Sequence, residues 1–111
     1  MATRYKSIDA LTAKRVFDSG AHMIDLRNED AWAAGHVEGS DRVNPDRVGA
    51  HSVGRADTVI VVDLTGSRSK RAAKKLAKEG YRVYHLDGGL QAWEKAGLPL
   101  RTTNGRRPSL A

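Results

Sequence analysis

Four consecutive β-branched residues, Val59, Ile60, Val61 and Val62, run straight into Asp63-Leu64-Thr65-Gly66-Ser67-Arg68-Ser69, and a basic helical pattern begins at once. An unbroken apolar run of this kind fits a strand buried on both faces, and so a parallel sheet covered by helices on each side. A buried strand that ends in a short glycine-bearing loop before a helix aims backbone N–H groups and the helix N-terminus at one point. That point is a natural seat for an anion. Asp63, at the strand exit, holds the place where an α/β enzyme of this layout carries its reactive group.

The flanking chain alternates strands and helices at the pitch of a parallel sheet. Residues 5–8 read as a first strand, and residues 9–17 as a helix with Ser7 or Asp9 as N-cap and Gly20 as stop. A brief apolar strand at 22–26 precedes a small helix at 28–34 that ends at Gly35. Arg42-Val43 reads as a further short strand, Asn44-Pro45 as a turn or helix start, and residues 46–57 as mostly loop. After the central strand at 58–62 comes the most amphipathic helix, 68–79, with Ala72, Ala73, Leu76 and Ala77 on one side and cations on the other. A last strand at 82–86, a helix at 90–96 and Gly97-Leu98-Pro99 close the pattern. The 111 residues suit a single domain over 1–100, with residues 101–111 expected to form a basic, disordered tail.

There is no cysteine in the chain, which removes disulfides, zinc–thiolate sites and thiol catalysis together. The net charge of +6 gathers at Arg68, Lys70, Arg71, Lys74, Lys75 and Lys78 on one helix and at Arg101, Arg106 and Arg107 in the tail. It reads first as a solvated helix face. With one Phe, three Tyr and two Trp, stacking platforms for single strands are scarce, so nucleic acid is disfavoured as a partner. A small anion or an acidic protein is the class left open. His22, His51 and His85 lack ligand spacing, and no metal or cofactor is expected. No run approaches the roughly 18 apolar residues of a membrane span. A cytosolic monomer is the expectation.

Three motifs in this order resemble the rhodanese-like family of single-domain sulfurtransferases. The first is Ile24-Asp25-Leu26-Arg27 followed by Trp32-Ala33-Ala34-Gly35-His36-Val37-Glu38-Gly39-Ser40. The second is the strand and loop through Asp63, where the family has Cys-x-x-Gly-x-Arg-Ser. The third is Asp87-Gly88-Gly89-Leu90-Gln91-Ala92-Trp93 with Gly97-Leu98-Pro99. The resemblance implies a three-layer α/β fold with a central, mostly parallel five-stranded sheet and helices on both faces. It also implies that residues 63–68 (Asp63, Leu64, Thr65, Gly66, Ser67 and Arg68) form the anion-binding loop, at the sulfurtransferase length and one residue shorter than related phosphatase loops. Trp32 and Trp93 read as core anchors, and His36 as a structural histidine bonded to nearby backbone. Many relatives carry Glu before the aromatic where this chain has Ala31-Trp32, so the partner of Arg27 is expected to be missing or to be Glu29 or Asp30.

In sulfurtransferases like this a cysteine accepts a sulfane sulfur as a persulfide and hands it to a nucleophile, with loop N–H groups holding the anion. A carboxylate cannot carry a persulfide, so the chain as written is expected to be inactive in sulfur transfer. Asp63 then has three readings. In the favoured one its carboxylate is a built-in anion that satisfies the loop donors, and the domain is a binding or regulatory module. In the second it is a phosphoryl-transfer nucleophile, since Asp63-Leu64-Thr65 is faintly similar to haloacid-dehalogenase-like phosphatases. The missing second aspartate and the lack of a downstream acidic cluster speak against this. In the third, the chain is a mutated or engineered form of a cysteine-bearing parent. Ser67 and Ser69 have no identifiable base and read as helix caps.

Overall fold

The computed structural model describes residues 4–49, 53 and 58–110. Five strands, β1 (Lys6–Ile8), β2 (His22–Asp25), β3 (Asp41–Arg42), β4 (Thr58–Val62) and β5 (Arg82–Leu86), form one sheet in the order β1-β5-β4-β2-β3. Every pairing is parallel. The sheet is therefore wholly parallel where mostly parallel was expected. Outside residues 50–57, the helices among the described residues are α1 (Ala10–Asp18), α2 (Glu29–Ala34), α3 (Ser69–Lys78) and α4 (Gly89–Lys95), with a 3-10 turn at Pro45–Arg47. Among the described residues no helix is long and apolar enough to cross a membrane.

Alternation along β4 divides the core into two layers. Val59 and Val61 pack with Ala72, Ala73, Leu76 and Ala77 of α3. Ile60 and Val62 pack on the other face with Ala10 and Ala13 of α1 and with Leu90 and Trp93 of α4. The four β4 side chains from Val59 to Val62 are fully buried, which explains why this stretch has no polar face to interrupt its β-branched run. The exposed cations of α3 are the cost-free complement: its inner face is mostly alanine, so the helix packs close to the sheet while its lysines reach water.

The caps follow the sequence closely at α1 and α2. Asp9, not Ser7, caps α1 by accepting from the Thr12 N–H at 2.8 Å. Asn28 caps α2 by accepting from Ala31 N–H at 2.8 Å. β3 falls at Asp41–Arg42, one residue earlier than expected, and Val43 N–H makes a further bond to β2 at Asp25 O, 2.9 Å. The expected loop at 46–57 contains the 3-10 turn; residues 50–52 and 54–57, and with them His51, lie outside the described residues.

Two expectations need correction. Trp93 is a core residue, fully buried with its indole N–H donating to Pro99 O at 2.9 Å. Trp32 is only half-buried: its ring stacks on His36 at 3.7 Å between centroids, and its N–H donates to Ser40 Oγ at 3.3 Å. The six-residue α2 that carries Trp32 has no fully buried residue, so its indole is only partly covered. The residues after 100, expected to form a disordered tail, run back across α2. Arg101 and His36 exchange backbone hydrogen bonds, Thr103 N–H donates to Ala33 O and Ser109 N–H to Ala34 O. Leu110 packs against the α1–α4 core. The free carbonyls at the end of a short helix recruit this segment, a need that composition alone does not register.

Candidate functional site

β4 delivers Asp63 to the carboxyl end of the sheet's middle, 2% exposed. The chain then turns through Leu64 to Arg68 and enters α3. Inside that turn the Asp63 carboxylate accepts four hydrogen bonds. Gly66 N–H donates to Oδ1 at 2.5 Å, and Arg68 N–H and Ser69 N–H donate to Oδ2 at 2.7 and 3.1 Å. The Ser69 hydroxyl donates to Oδ1 at 3.2 Å. These donors are backbone and hydroxyl groups together with the positive end of α3, and no cation is among them. Charge-assisted bonds of this kind contribute about 1.5–3 kcal/mol each, enough to offset burial of one carboxylate.

The serines were expected to cap α3. Instead Arg68 sits at the N-cap with no side-chain cap bond, and Ser67 Oγ lies 3.1 Å from Thr65 Oγ1. Asp63, five and six residues upstream of the N–H groups it accepts from, performs the capping. A carboxylate reaching back from a strand end gives the same bonds as a local cap and also closes the loop upon itself.

The loop is held from behind by the last βα unit. Leu90 N–H donates to Asp63 O at 2.9 Å and Gln91 N–H to Leu64 O at 3.0 Å, so the first turn of α4 spends its free donors on the loop backbone. The approach requires glycine. Gly89 has φ +62°, and a Cβ there would lie 2.5 Å from Leu64 O and 2.6 Å from Asp63 O. Gly66, at φ +91°, makes the reversal that brings its N–H to the carboxylate.

His85 was considered only as a metal ligand, and its structural role was missed. It is fully buried, with Nε2 2.6 Å from Gly66 O and Nδ1 3.0 Å from Ser7 Oγ. A carbonyl oxygen only accepts, so Nε2 carries the hydrogen and Nδ1 accepts from the Ser7 hydroxyl in the neutral ring. The imidazole therefore ties the loop to β1 across β5. The signal for this role was present in the sequence: a histidine inside a buried strand, two residues before the Asp87-Gly88-Gly89 turn, must find partners nearby.

Beside this loop lies a second buried carboxylate. Asp25, at the end of β2, receives Arg27 Nε at 3.0 Å on Oδ1 and Arg27 Nη2 at 2.8 Å on Oδ2, with Arg27 N–H also on Oδ1 at 3.0 Å. Arg27 Nη2 continues to Gly35 O at 2.6 Å and Nη1 to Ala31 O at 3.3 Å. The expected partners, none or Glu29 or Asp30, are thus corrected. The guanidinium turns inward to Asp25, two residues back, where the fork geometry is satisfied on both sides. His36 is the structural histidine expected, its Nδ1 2.7 Å from Trp32 O. Among the described residues no three His, Asp or Glu side chains converge as a metal site.

A wholly parallel five-stranded sheet, α3 and α4 converging on the loop after β4, and an inward Asp-x-Arg pair define a small α/β domain with an anion-cradling loop. A family profile described as "Rhodanese-like domain" matches residues 9–96. The chain belongs to that family. It is 30% identical over 109 residues to a protein called thiosulfate sulfurtransferase GlpE from Pseudomonas aeruginosa, an alignment covering 95% of this chain and 97% of the relative. It is 34% identical over 107 residues to the protein of that name from Pseudomonas fluorescens, covering 93% and 96%. Among solved structures, a thiosulfate sulfurtransferase from Pseudomonas aeruginosa superposes with TM-score 0.80 at 24% identity, over 92% of this chain and 20% of that one. A rhodanese-related protein from Thermoplasma volcanium gives 0.78 at 23% identity, over 87% and 98%. These two likenesses bear on the fold.

Proposed function

We propose that this rhodanese-like domain does not transfer sulfur and acts as a binding or regulatory module, with Asp63 standing where the family's sulfurtransferases carry their nucleophilic cysteine. One observation carries the reading: in a chain without cysteine, the Asp63 carboxylate occupies the donor ring of Gly66, Arg68 and Ser69 that an anionic sulfur would otherwise use. The carboxylate fills the seat, and its charge repels a second anion. Leu64, Thr65 and Ser67 complete the loop without supplying a substitute nucleophile; the exposed hydroxyls of Thr65 and Ser67 face each other. The direct test is a thiosulfate-to-cyanide assay. Thiocyanate production at the level of a protein-free blank is expected, and turnover clearly above it overturns the proposal. Asp63→Cys should gain measurable activity, because the ring, the helix terminus and the His85 brace are in place. That gain would also fit descent from a cysteine-bearing parent. Its failure would show that the loop no longer accommodates a persulfide.

A second reading, a basic module for acidic protein partners, draws on α3. Lys70, Arg71, Lys74 and Lys78 are all exposed along this helix, while Lys75 is committed to Val48 O at 2.6 Å and Glu79 at 3.0 Å. Binding to a polyglutamate probe that weakens steeply with salt supports it, and no binding at low salt ends it.

A further inference from the structure

A second concavity lies at the other end of the sheet, roughly 16 Å along β4 from Asp63. It encloses about 550 Å³ between the last turns of α1 and the amino ends of β4 and β5. Strand alternation puts Thr58 on the face of Ile60, and Arg82 on the face of Tyr84. Helical spacing puts Thr12, Arg15, Val16 and Ser19 on one stripe of α1. The two sets meet across the cavity, and both of its charged lining residues, Arg15 and Arg82, are cations.

No hydrogen bond or ion pair engages either guanidinium among the described residues. Arg15 acts on the exposed Asp9 carboxylate, as the smallest of four influences there. Ser19 has already given its hydroxyl to Arg15 O, so the helix end offers few free acceptors to these cations. Two like charges bordering one concavity repel each other until an anion or solvent ions screen them. Around them the walls supply what an organic anion needs: the hydroxyl of Thr58, and apolar surface on Val16 and the half-buried Tyr84 ring.

We propose that this groove is a binding site for a small organic polyanion, a phosphate ester or polycarboxylate whose apolar body rests on Tyr84 and Val16 while Arg15 and Arg82 hold its charge. The site is separate from the Asp63 loop and does not depend on how that loop is read. Arginine suits it because the guanidinium presents paired donors to phosphate or carboxylate oxygens.

The test is an amide chemical-shift titration of the intact protein at low salt with phenyl phosphate, citrate and inorganic phosphate. Phenyl phosphate or citrate should give saturable shifts clustered at Thr58, Arg82, Tyr84 and residues 19–21. Whichever of the two binds more tightly assigns the anionic group. Arg15→Gln and Arg82→Gln, both at exposed positions, should each weaken that binding about tenfold or more while leaving the spectrum otherwise dispersed. Several outcomes overturn the proposal. They are the absence of saturable shifts by about 10 mM, shifts centred instead on residues 64–70, equal affinity for phenyl phosphate and inorganic phosphate, or affinity unchanged in both glutamine variants.

Discussion

Two carboxylates sit at the ends of neighbouring parallel strands, and both are buried: Asp25 as the last residue of β2 and Asp63 just after β4. Asp25 is neutralised by a guanidinium that reaches both of its oxygens. Asp63 is held by three backbone N–H groups and one hydroxyl, with no cation. The difference separates structure from site. An ion pair locks two specific side chains together, and neither can be exchanged alone. A ring of N–H groups accepts any anion of suitable size, so its occupant can change in sequence or in solution. Asp25 and Arg27 are in this sense part of the scaffold that supports α2, through Gly35 O and Ala31 O. On the proposed reading, Asp63 occupies a seat that another anion could fill.

The largest effect is expected from breaking the pair. Arg27→Met leaves Asp25 buried without its cation and removes two bonds to the α2 backbone. A loss of about 3–5 kcal/mol is expected in urea denaturation, a large share of the roughly 5–15 kcal/mol that domains possess. Replacing both partners, Asp25→Leu with Arg27→Met, should recover much of it, since no charge then stays buried. A loss below about 1 kcal/mol in the single variant would show that water reaches Asp25 and that the contrast is false.

Emptying the ring should cost less. Asp63→Ala orphans three N–H groups and a hydroxyl, yet water or a solute anion can enter, and about 1–3 kcal/mol is expected. The sharper readout is rescue. Sulfate or thiosulfate should raise the melting temperature of Asp63→Ala more than that of the parent, in proportion to occupancy of the vacated seat. The Arg27→Met variant should show no such added response. Equal responses in all three would remove the distinction between a seat and a lock.

Much of this contrast was legible in the sequence, and the part that was not turns on burial and on contacts across the fold. The β-branched run at 59–62, the glycine loop and the basic helix named the βα unit, because local periodicity and turn chemistry decide such elements. Asp63 as a built-in anion followed from the loop's donors and the missing cysteine. The partner of Arg27 did not follow. The departure from the family pattern at Ala31-Trp32 suggested a missing partner, or Glu29 or Asp30 on the adjacent helix, whereas the side chain turns inward to Asp25, a choice made by burial and not by proximity on a helix. Docking of residues 101–110 on α2 and the brace through His85, by contrast, are contacts between elements distant in the chain. The fold brings them together, and although a buried-strand histidine signals that partners must exist, no local pattern names them.

The smallest expected effect comes from a third carboxylate that repeats the chemistry of Asp63 in water. Asp9 is exposed and accepts from Thr12 N–H at 2.8 Å at the start of α1. The Thr12 backbone N–H, then its side chain, hold the Asp9 carboxyl below its ordinary 3.8, against a weaker opposing effect of burial. A lowered value in the folded state means the ionised cap stabilises the fold fully above the ordinary value and loses that contribution as pH falls through the lowered one. Asp9→Asn keeps a cap of similar quality and cannot titrate. Urea midpoints of parent and variant should therefore differ by a constant amount at mild pH, and the parent should lose ground to the variant on acidification below 3.8. A parent that gains on the variant as acid is added would contradict N–H groups as the source of carboxylate stabilisation at Asp9, and would weaken the same reading for Asp63.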